Sequence, residues 1–281
     1  MLSSQILLIK EVITMKLTVI GTGNMGRALV KGFINGKVLK GEEIFVYDLN
    51  KEASLALSKE TGAIVADNIN ECVKDSDYIL MAVKPQHFDA ALSALADDIP
   101  GDTIVLSIAA AVKTSRIASC LKRNDKLVRI MPNTPAQVAA GVSAVCPVGL
   151  NDEEVSFVKS LFSTCGEVIL CDEKTLDAIG CVSGTGPAYV MLFIEAMADA
   201  AVSLGIKRDD ALKIAAGTVM GSGKLVLETG LHPAVLKDQV CSPGGTTIAG
   251  VMALEKNGLR NAVISSVIAA DEKTREMAGG K

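Results

Sequence analysis

The segment Val240-Cys241-Ser242-Pro243-Gly244-Gly245-Thr246-Thr247-Ile248-Ala249-Gly250 combines residue types suited to holding an anion. Pro243, Gly244 and Gly245 break the chain, and Thr246 or Thr247 can cap a helix continuing through Ile248, Val251, Met252 and Leu254. A helix that begins there presents bare backbone N–H groups, small side chains and hydroxyls, a seat for a carboxylate-sized anion. Far upstream, Gly21-Thr22-Gly23-Asn24-Met25-Gly26 has the spacing of a dinucleotide fingerprint. It follows an apolar strand-like run (Leu17, Val19, Ile20) and opens an apolar-faced helix, the context in which such glycines have a physical role. Gly21 serves a tight turn, Gly23 the close approach of a pyrophosphate, and Gly26 the packing of helix on strand. A nucleotide seat at one end and an anion seat at the other point to redox chemistry on a small acid.

Three further positions could contribute. Asp48 ends the second expected strand, where an acid can accept hydrogen bonds from adenosine ribose hydroxyls or cap the helix from Lys51. Val83-Lys84-Pro85-Gln86 follows the fourth strand. Lys84 can reach cofactor hydroxyls from the carboxyl end of that strand or stand in solvent, and Pro85 starts a helix at its first position. In Met131-Pro132-Asn133-Thr134-Pro135-Ala136, Asn133 offers both donor and acceptor, for a nicotinamide amide or for bracing its own loop. Ser183-Gly184-Thr185-Gly186-Pro187-Ala188-Tyr189 reads as glycines that let helices pass closely. Glu195 and Asp199, one turn apart, read as partners of basic residues or of water.

These residues need a scaffold, and the pattern supplies one. Strands alternate with helices up to about residue 171, the order of an α/β, doubly wound, mostly parallel sheet of Rossmann type. Beyond Asp172 only helices follow. The expected organisation is an extension or upstream start at residues 1–14, a dinucleotide-binding domain at 15–171 and an all-α substrate-binding and dimerisation domain at 172–281. The stretch 187–204 is apolar on nearly every side, which demands burial. With 49% hydrophobic residues and a mean hydropathy of +0.37, the helical domain is expected to share its core with a second subunit. No run approaches the ~18 uncharged apolar residues of a membrane span. A net charge of −4, scattered along the chain, leaves no footprint for nucleic acid. Seven cysteines without a C-x-x-C pair fit reduced thiols in the cytoplasm. Only two histidines, His87 and His232, stand far apart, so neither a metal site nor a Ser-His-Asp triad is expected.

Taken together, the fingerprint, Ala82-Val83-Lys84-Pro85-Gln86, residues 131–136, residues 183–189, Leu236-Lys237-Asp238 and residues 240–255 resemble the pyrroline-5-carboxylate reductases, in that family's order. The resemblance implies a Rossmann domain binding NADPH or NADH through Gly21, Thr22, Gly23, Asn24, Met25, Gly26, Val83, Lys84, Pro85 and Asn133. It implies a helical domain that interlocks with a partner, as a dimer or a ring of dimers. The substrate carboxylate would lie on Ser242, Gly244, Gly245, Thr246 and Thr247, with Thr247 near the ring nitrogen and Glu173 also near the substrate. Asn68 matches the family's ribose-contacting asparagine. Asp48 stands where NADPH-using relatives often carry a small polar residue, which favours NADH. Gln239 is asparagine in some relatives. The implied activity is reduction of the C=N bond of 1-pyrroline-5-carboxylate to L-proline, the last step of proline biosynthesis. A β-hydroxyacid dehydrogenase would need a lysine where Val190 stands and an asparagine in place of Ile194. A non-catalytic dinucleotide-binding protein would have no use for the turn at 242–247.

Overall fold

Residues 15–277 are described by a computed structural model, and the expectation for residues 1–14 lies outside them. The chain divides into two compact units, one ending at Ile179 and the other beginning at Gly180.

In the first unit the strands are β1 (Leu17–Ile20), β2 (Ile44–Tyr47), β3 (Ile64–Val65), β4 (Tyr78–Met81), β5 (Ile104–Ser107), β6 (Leu127–Met131), β7 (Gly141–Val148) and β8 (Gly166–Leu170). The helices between them are α1 (Asn24–Asn35), α2 (Lys51–Thr61), α3 (Ile69–Lys74), α4 (Pro85–Ser93), α5 (Thr114–Leu121) and α6 (Asp152–Ser163), and α7 (Glu173–Ile179) follows β8. Among the described residues the strands form one sheet in the order β3-β2-β1-β4-β5-β6-β7-β8. Neighbours are parallel from β3 to β6, β7 runs antiparallel to β6, and β8 is parallel to β7. Residues of β1, β4 and β5 are buried throughout, as strands covered on both faces must be. One face packs around Phe33 of α1, Leu57 of α2 and Phe162 of α6, with the two phenylalanine rings edge to face at 5.4 Å. The other face packs around Val73 of α3, Phe88 of α4 and Ile117 of α5. This is the doubly wound architecture that the alternation of elements predicts.

The compact division falls after α7 rather than before it. The reason is Arg129 on β6, only 3% exposed, whose guanidinium donates to Asp177 at 2.7 Å and to Glu173 at 3.2 Å. A buried guanidinium needs such partners, because stranding it would be strongly unfavourable. The two carboxylates therefore hold α7 to the sheet, and Leu176 packs beside Ala144 and Cys146.

The second unit is helical: α8 (Gly186–Ser203), α9 (Arg208–Thr229), α10 (Pro233–Val240), α11 (Thr246–Lys256) and α12 (Leu259–Met277), preceded by a π-helical segment at Gly180–Gly184. The sequence reads the overlapping stretch 183–189 as glycines that let helices pass closely. A Cβ added at Gly186 would meet nothing within 4 Å, so that glycine is not pressed by a neighbouring helix, whereas the π-helical segment lies against α12, with Cys181 Sγ donating to the Thr274 hydroxyl at 3.7 Å. The unit's own core is small: Ala198 of α8 against Ala211 and Ala215 of α9, flanked by Ile194, Met197 and Val202. The helix expected to be covered on every side is not covered by its own chain, with Met191 and Leu192 each more than 60% exposed. Met220, Leu227, Val263, Ile264 and Ile268 add to the uncovered apolar surface. The helical run Glu173–Ser203 reaches a mean hydropathy of 1.3 and is, by length and composition only, apolar enough to cross a membrane, which corrects the expectation that no run comes close. Its opening turns carry the carboxylates that pair with Arg129.

Fully covering a Leu or Met side chain contributes roughly 1.5–3 kcal/mol, so the exposed faces of α8, α9 and α12 favour association with a second copy. Light scattering at micromolar protein is expected to show a dimer or larger species. Leu192→Asp is expected to shift the population toward smaller species or aggregates, and an active wild-type monomer would contradict the reading.

Candidate active site

The carboxyl ends of β1 and β4 mark the point where the sheet order reverses, with β2 on one side of β1 and β4 on the other. Open α/β sheets bind ligands in the crevice at such a point. The turn after β1 meets the turn after β4 there. Gly21 has φ +105°, and a Cβ on it would stand 2.6 Å from the Ala82 carbonyl oxygen. A Cβ on Gly26 would stand 2.1 Å from the Gly21 carbonyl oxygen. Neither position accepts a side chain. Gly23 differs, since a Cβ there would meet nothing within 4 Å and would project into open space. Gly23 is also the N-cap of α1, without a capping side chain, and the helix's first bond runs from the Arg27 N–H to the Gly23 carbonyl. The N–H groups of Asn24, Met25 and Gly26 therefore sit at a helix N-terminus beside bare backbone. These residues fit a dinucleotide pyrophosphate.

Lys84 is the exposed N-cap of α4, and Pro85 occupies the first helical position as expected. Val83 lies beside Gly21, its backbone nitrogen 3.1 Å from where a Gly21 Cβ would be. Asn133 is buried and its Oδ1 accepts from the Val142 N–H at 2.8 Å, so it braces its loop against β7. Asn68 is the exposed N-cap of α3, accepting from the Asn70 N–H at 3.1 Å.

At Asp48 one of the two sequence readings is overturned, and at Glu173 the structure adds partners that the sequence did not announce. Asp48 does not cap α2; Asn50 does, accepting from the Glu52 N–H at 3.2 Å. The Asp48 carboxylate instead accepts from the Thr22 N–H at 2.7 Å, from the Thr22 hydroxyl at 3.2 Å and from the Asn50 N–H at 2.9 Å. Glu173 accepts from the Thr114 N–H at 2.7 Å and from the Thr114 hydroxyl at 3.2 Å, capping α5 from outside that helix, in addition to Arg129. The sequence reading missed Arg129 and Thr114 as its partners; the available signal was a lone arginine inside the apolar strand Leu127-Val128-Arg129-Ile130-Met131. Cys146 sits opposite Arg129 on β7. Burial first, and then the Glu173 charge, push its thiol above the usual range, which leaves it a poor nucleophile.

In the helical unit, Ser242-Pro243-Gly244-Gly245 forms a tight turn closed by the Gly245 N–H to the Ser242 carbonyl at 3.1 Å. Proline at its second position and Gly244 at φ +68° match a type II turn. α11 then begins at Thr246 with Gly245 as N-cap and no capping side chain, so neither threonine caps the helix. The first intrahelical bond, from the Ala249 N–H to the Gly245 carbonyl, leaves the N–H groups of Thr246, Thr247 and Ile248 without an intrahelical acceptor. Thr246 is exposed and Thr247 half-buried.

Comparison with known proteins agrees with both halves. A family described as pyrroline-5-carboxylate reductase dimerisation matches residues 173–277, and one described as NADP oxidoreductase, coenzyme F420-dependent, matches residues 16–111. The pyrroline-5-carboxylate reductase of Escherichia coli is 44% identical over 93% of this chain and 98% of its own. That of Methanosarcina acetivorans is 39% identical over 93% and 97%. Among solved structures, the Plasmodium falciparum pyrroline carboxylate reductase with NADP bound aligns with a TM-score of 0.83 at 32% identity, covering 94% of this chain and 98% of that one. The Coxiella burnetii pyrroline-5-carboxylate reductase aligns with a TM-score of 0.88 at 30% identity, covering 95% and 99%. With identities of this size along nearly its whole length, the chain belongs to the pyrroline-5-carboxylate reductase family.

Proposed function

We propose that this chain reduces the C=N bond of 1-pyrroline-5-carboxylate to give L-proline, the last step of proline biosynthesis, with NADPH or NADH as reductant. The observation that carries this reading is 44% identity to the Escherichia coli enzyme over 98% of that enzyme's length. A nicotinamide held there would supply a hydride for the imine carbon, the imine nitrogen taking a proton. The chain's own residues provide position and electrostatics. The turn of Gly21, Thr22, Gly23, Asn24, Met25 and Gly26 seats the pyrophosphate; Val83, Lys84, Pro85 and Asn133 belong to the loops that position the nicotinamide half, and Asn68 to the ribose side. In the helical unit the N–H groups at the start of α11 hold the substrate carboxylate on Ser242, Gly244, Gly245 and Thr246. The Thr247 hydroxyl orients the ring nitrogen. A protonated imine is the better electrophile and can take its proton from water, so no dedicated acid is required.

For Glu173, capping α5 and pairing with Arg129 account for its carboxylate, and a role beside the substrate is the secondary reading. The domains assigned are residues 15–171 for the dinucleotide and 172–281 for substrate and dimerisation, the helical part joining a second copy as a dimer or a ring of dimers. Seven unbridged cysteines accord with a cytoplasmic location.

The direct test is oxidation of NADPH or NADH by the purified chain in the presence of 1-pyrroline-5-carboxylate, with L-proline as product; no turnover would refute the reading. Thr247→Ala removes one hydrogen bond to a charged partner, about 1.5–3 kcal/mol. It is expected to lower kcat/KM by roughly one to two orders of magnitude while dinucleotide binding stays unchanged. Thr246→Ala is the control, with little loss of stability because its hydroxyl makes no capping bond. A larger kinetic loss from Thr246→Ala would reverse the assignment within the pair. Gly23→Ala has room for its methyl group and is expected to fold normally. It should weaken NADPH binding about tenfold or more, the effect of losing a phosphate hydrogen bond, as measured by fluorescence titration.

A further inference from the structure

We propose that Asp48 is a positioning residue, which sets the phosphate-binding turn through Thr22 and does not select the cofactor at its ribose. The inference rests on the reading of residues 21–26 as a dinucleotide seat. An acid at the end of the second strand ordinarily reads the adenosine ribose by accepting from its hydroxyls. A two-oxygen grip on the vicinal diol needs a free lone pair on each carboxylate oxygen. Here Oδ2 already accepts two donors, the Thr22 N–H at 2.7 Å and the Thr22 hydroxyl at 3.2 Å. A carboxylate oxygen has about two acceptor sites, so Oδ2 is filled. Oδ1 accepts from the Asn50 N–H at 2.9 Å and retains one site.

The parallel register explains this arrangement. Ile20 pairs with Tyr47, and the Gly21 N–H continues the ladder to the Tyr47 carbonyl at 2.8 Å. The next residue on each chain is Thr22 on one side and Asp48 on the other, so the strand ends bring them together. Thr22 is only 4% exposed. Without Asp48 its N–H would lose its acceptor in a place where water does not readily replace it. The Thr22 N–H is thus committed to the residue that follows β2, and the turn is fixed so that the N–H groups of Asn24, Met25 and Gly26 carry the anion seat. Asp48 acts on the pyrophosphate side, which NADH and NADPH share. The 2′-phosphate that distinguishes them is not its concern.

The experiment measures dissociation constants of NADH and NADPH for the wild type, Asp48→Ala and Asp48→Asn, by fluorescence titration without substrate. Asp48→Ala is expected to weaken both dinucleotides by a common factor of about tenfold or more, the effect of an unmade buried hydrogen bond. The NADPH-to-NADH affinity ratio should stay within about twofold of the wild type. Asp48→Asn keeps an acceptor for the Thr22 N–H while removing the charge, and should restore most of both affinities at the same ratio. It also provides the decisive measurement if Asp48→Ala fails to fold. A ratio that moves about tenfold toward NADPH in either variant would show that the charge reads the ribose and would overturn the inference. Unchanged affinities in folded Asp48→Ala would overturn it as well. A wild-type chain that bound neither dinucleotide would overturn the proposed function, and the inference with it. A wild type that binds both, with variants that shift the ratio, would overturn the inference alone.

Discussion

The arrangement of the first unit turns on how closely two loops press together at the carboxyl edge of the sheet. β1 lies between β2 and β4, and the turns that leave β1 and β4 meet backbone to backbone at Gly21 and Ala82. A single methyl group at Gly21 or at Gly26 would overlap a carbonyl oxygen, so the approach exists only because both positions lack one. Protein interiors are close-packed and yield little to such overlaps. Because α1 starts inside this contact, its N-terminus is aimed over the sheet edge. Asp48 and the Lys84 loop are brought to the same edge by the strands that carry them.

Much of this was legible in the sequence for a simple reason. Continuous apolar runs such as Tyr78-Ile79-Leu80-Met81, set between helices with one apolar face, have few stable solutions other than a doubly wound sheet. Pro85 as a helix start was equally readable, since a proline fits the first turn and little else. What the sequence did not yield were contacts between residues distant along the chain. Nothing near Asp48 announces that Thr22 supplies two of its donors, and nothing near Glu173 announces Thr114 and Arg129. The cap of α11 differs from expectation for a local reason: two threonines follow two glycines, and propensity favours a hydroxyl at the cap, whereas the type II turn closes one residue earlier and places Gly245 there.

The helical unit shows a different balance. Its internal core is built on three alanines, which contribute little burial apiece, while the larger apolar side chains face outward from α8, α9 and α12. Such a unit gains stability when a second surface covers those side chains. Folding and association are then linked, so an apparent stability measured on this protein depends on its concentration. The same reasoning explains why a helix that reads as core from its composition is exposed in the single chain.

The bare start of α11 has a consequence for dynamics. A capping side chain there would be worth about 1 kcal/mol, and the helix does without it, keeping the N–H groups of Thr246, Thr247 and Ile248 open. On the proposed function, an anion on the turn would take the place of the cap, and occupancy of the seat and order of the first helical turn would be one equilibrium. Amide hydrogen exchange at these three residues would then slow in proportion to ligand bound, and the end of one helix would report occupancy of the proposed seat independently of catalysis.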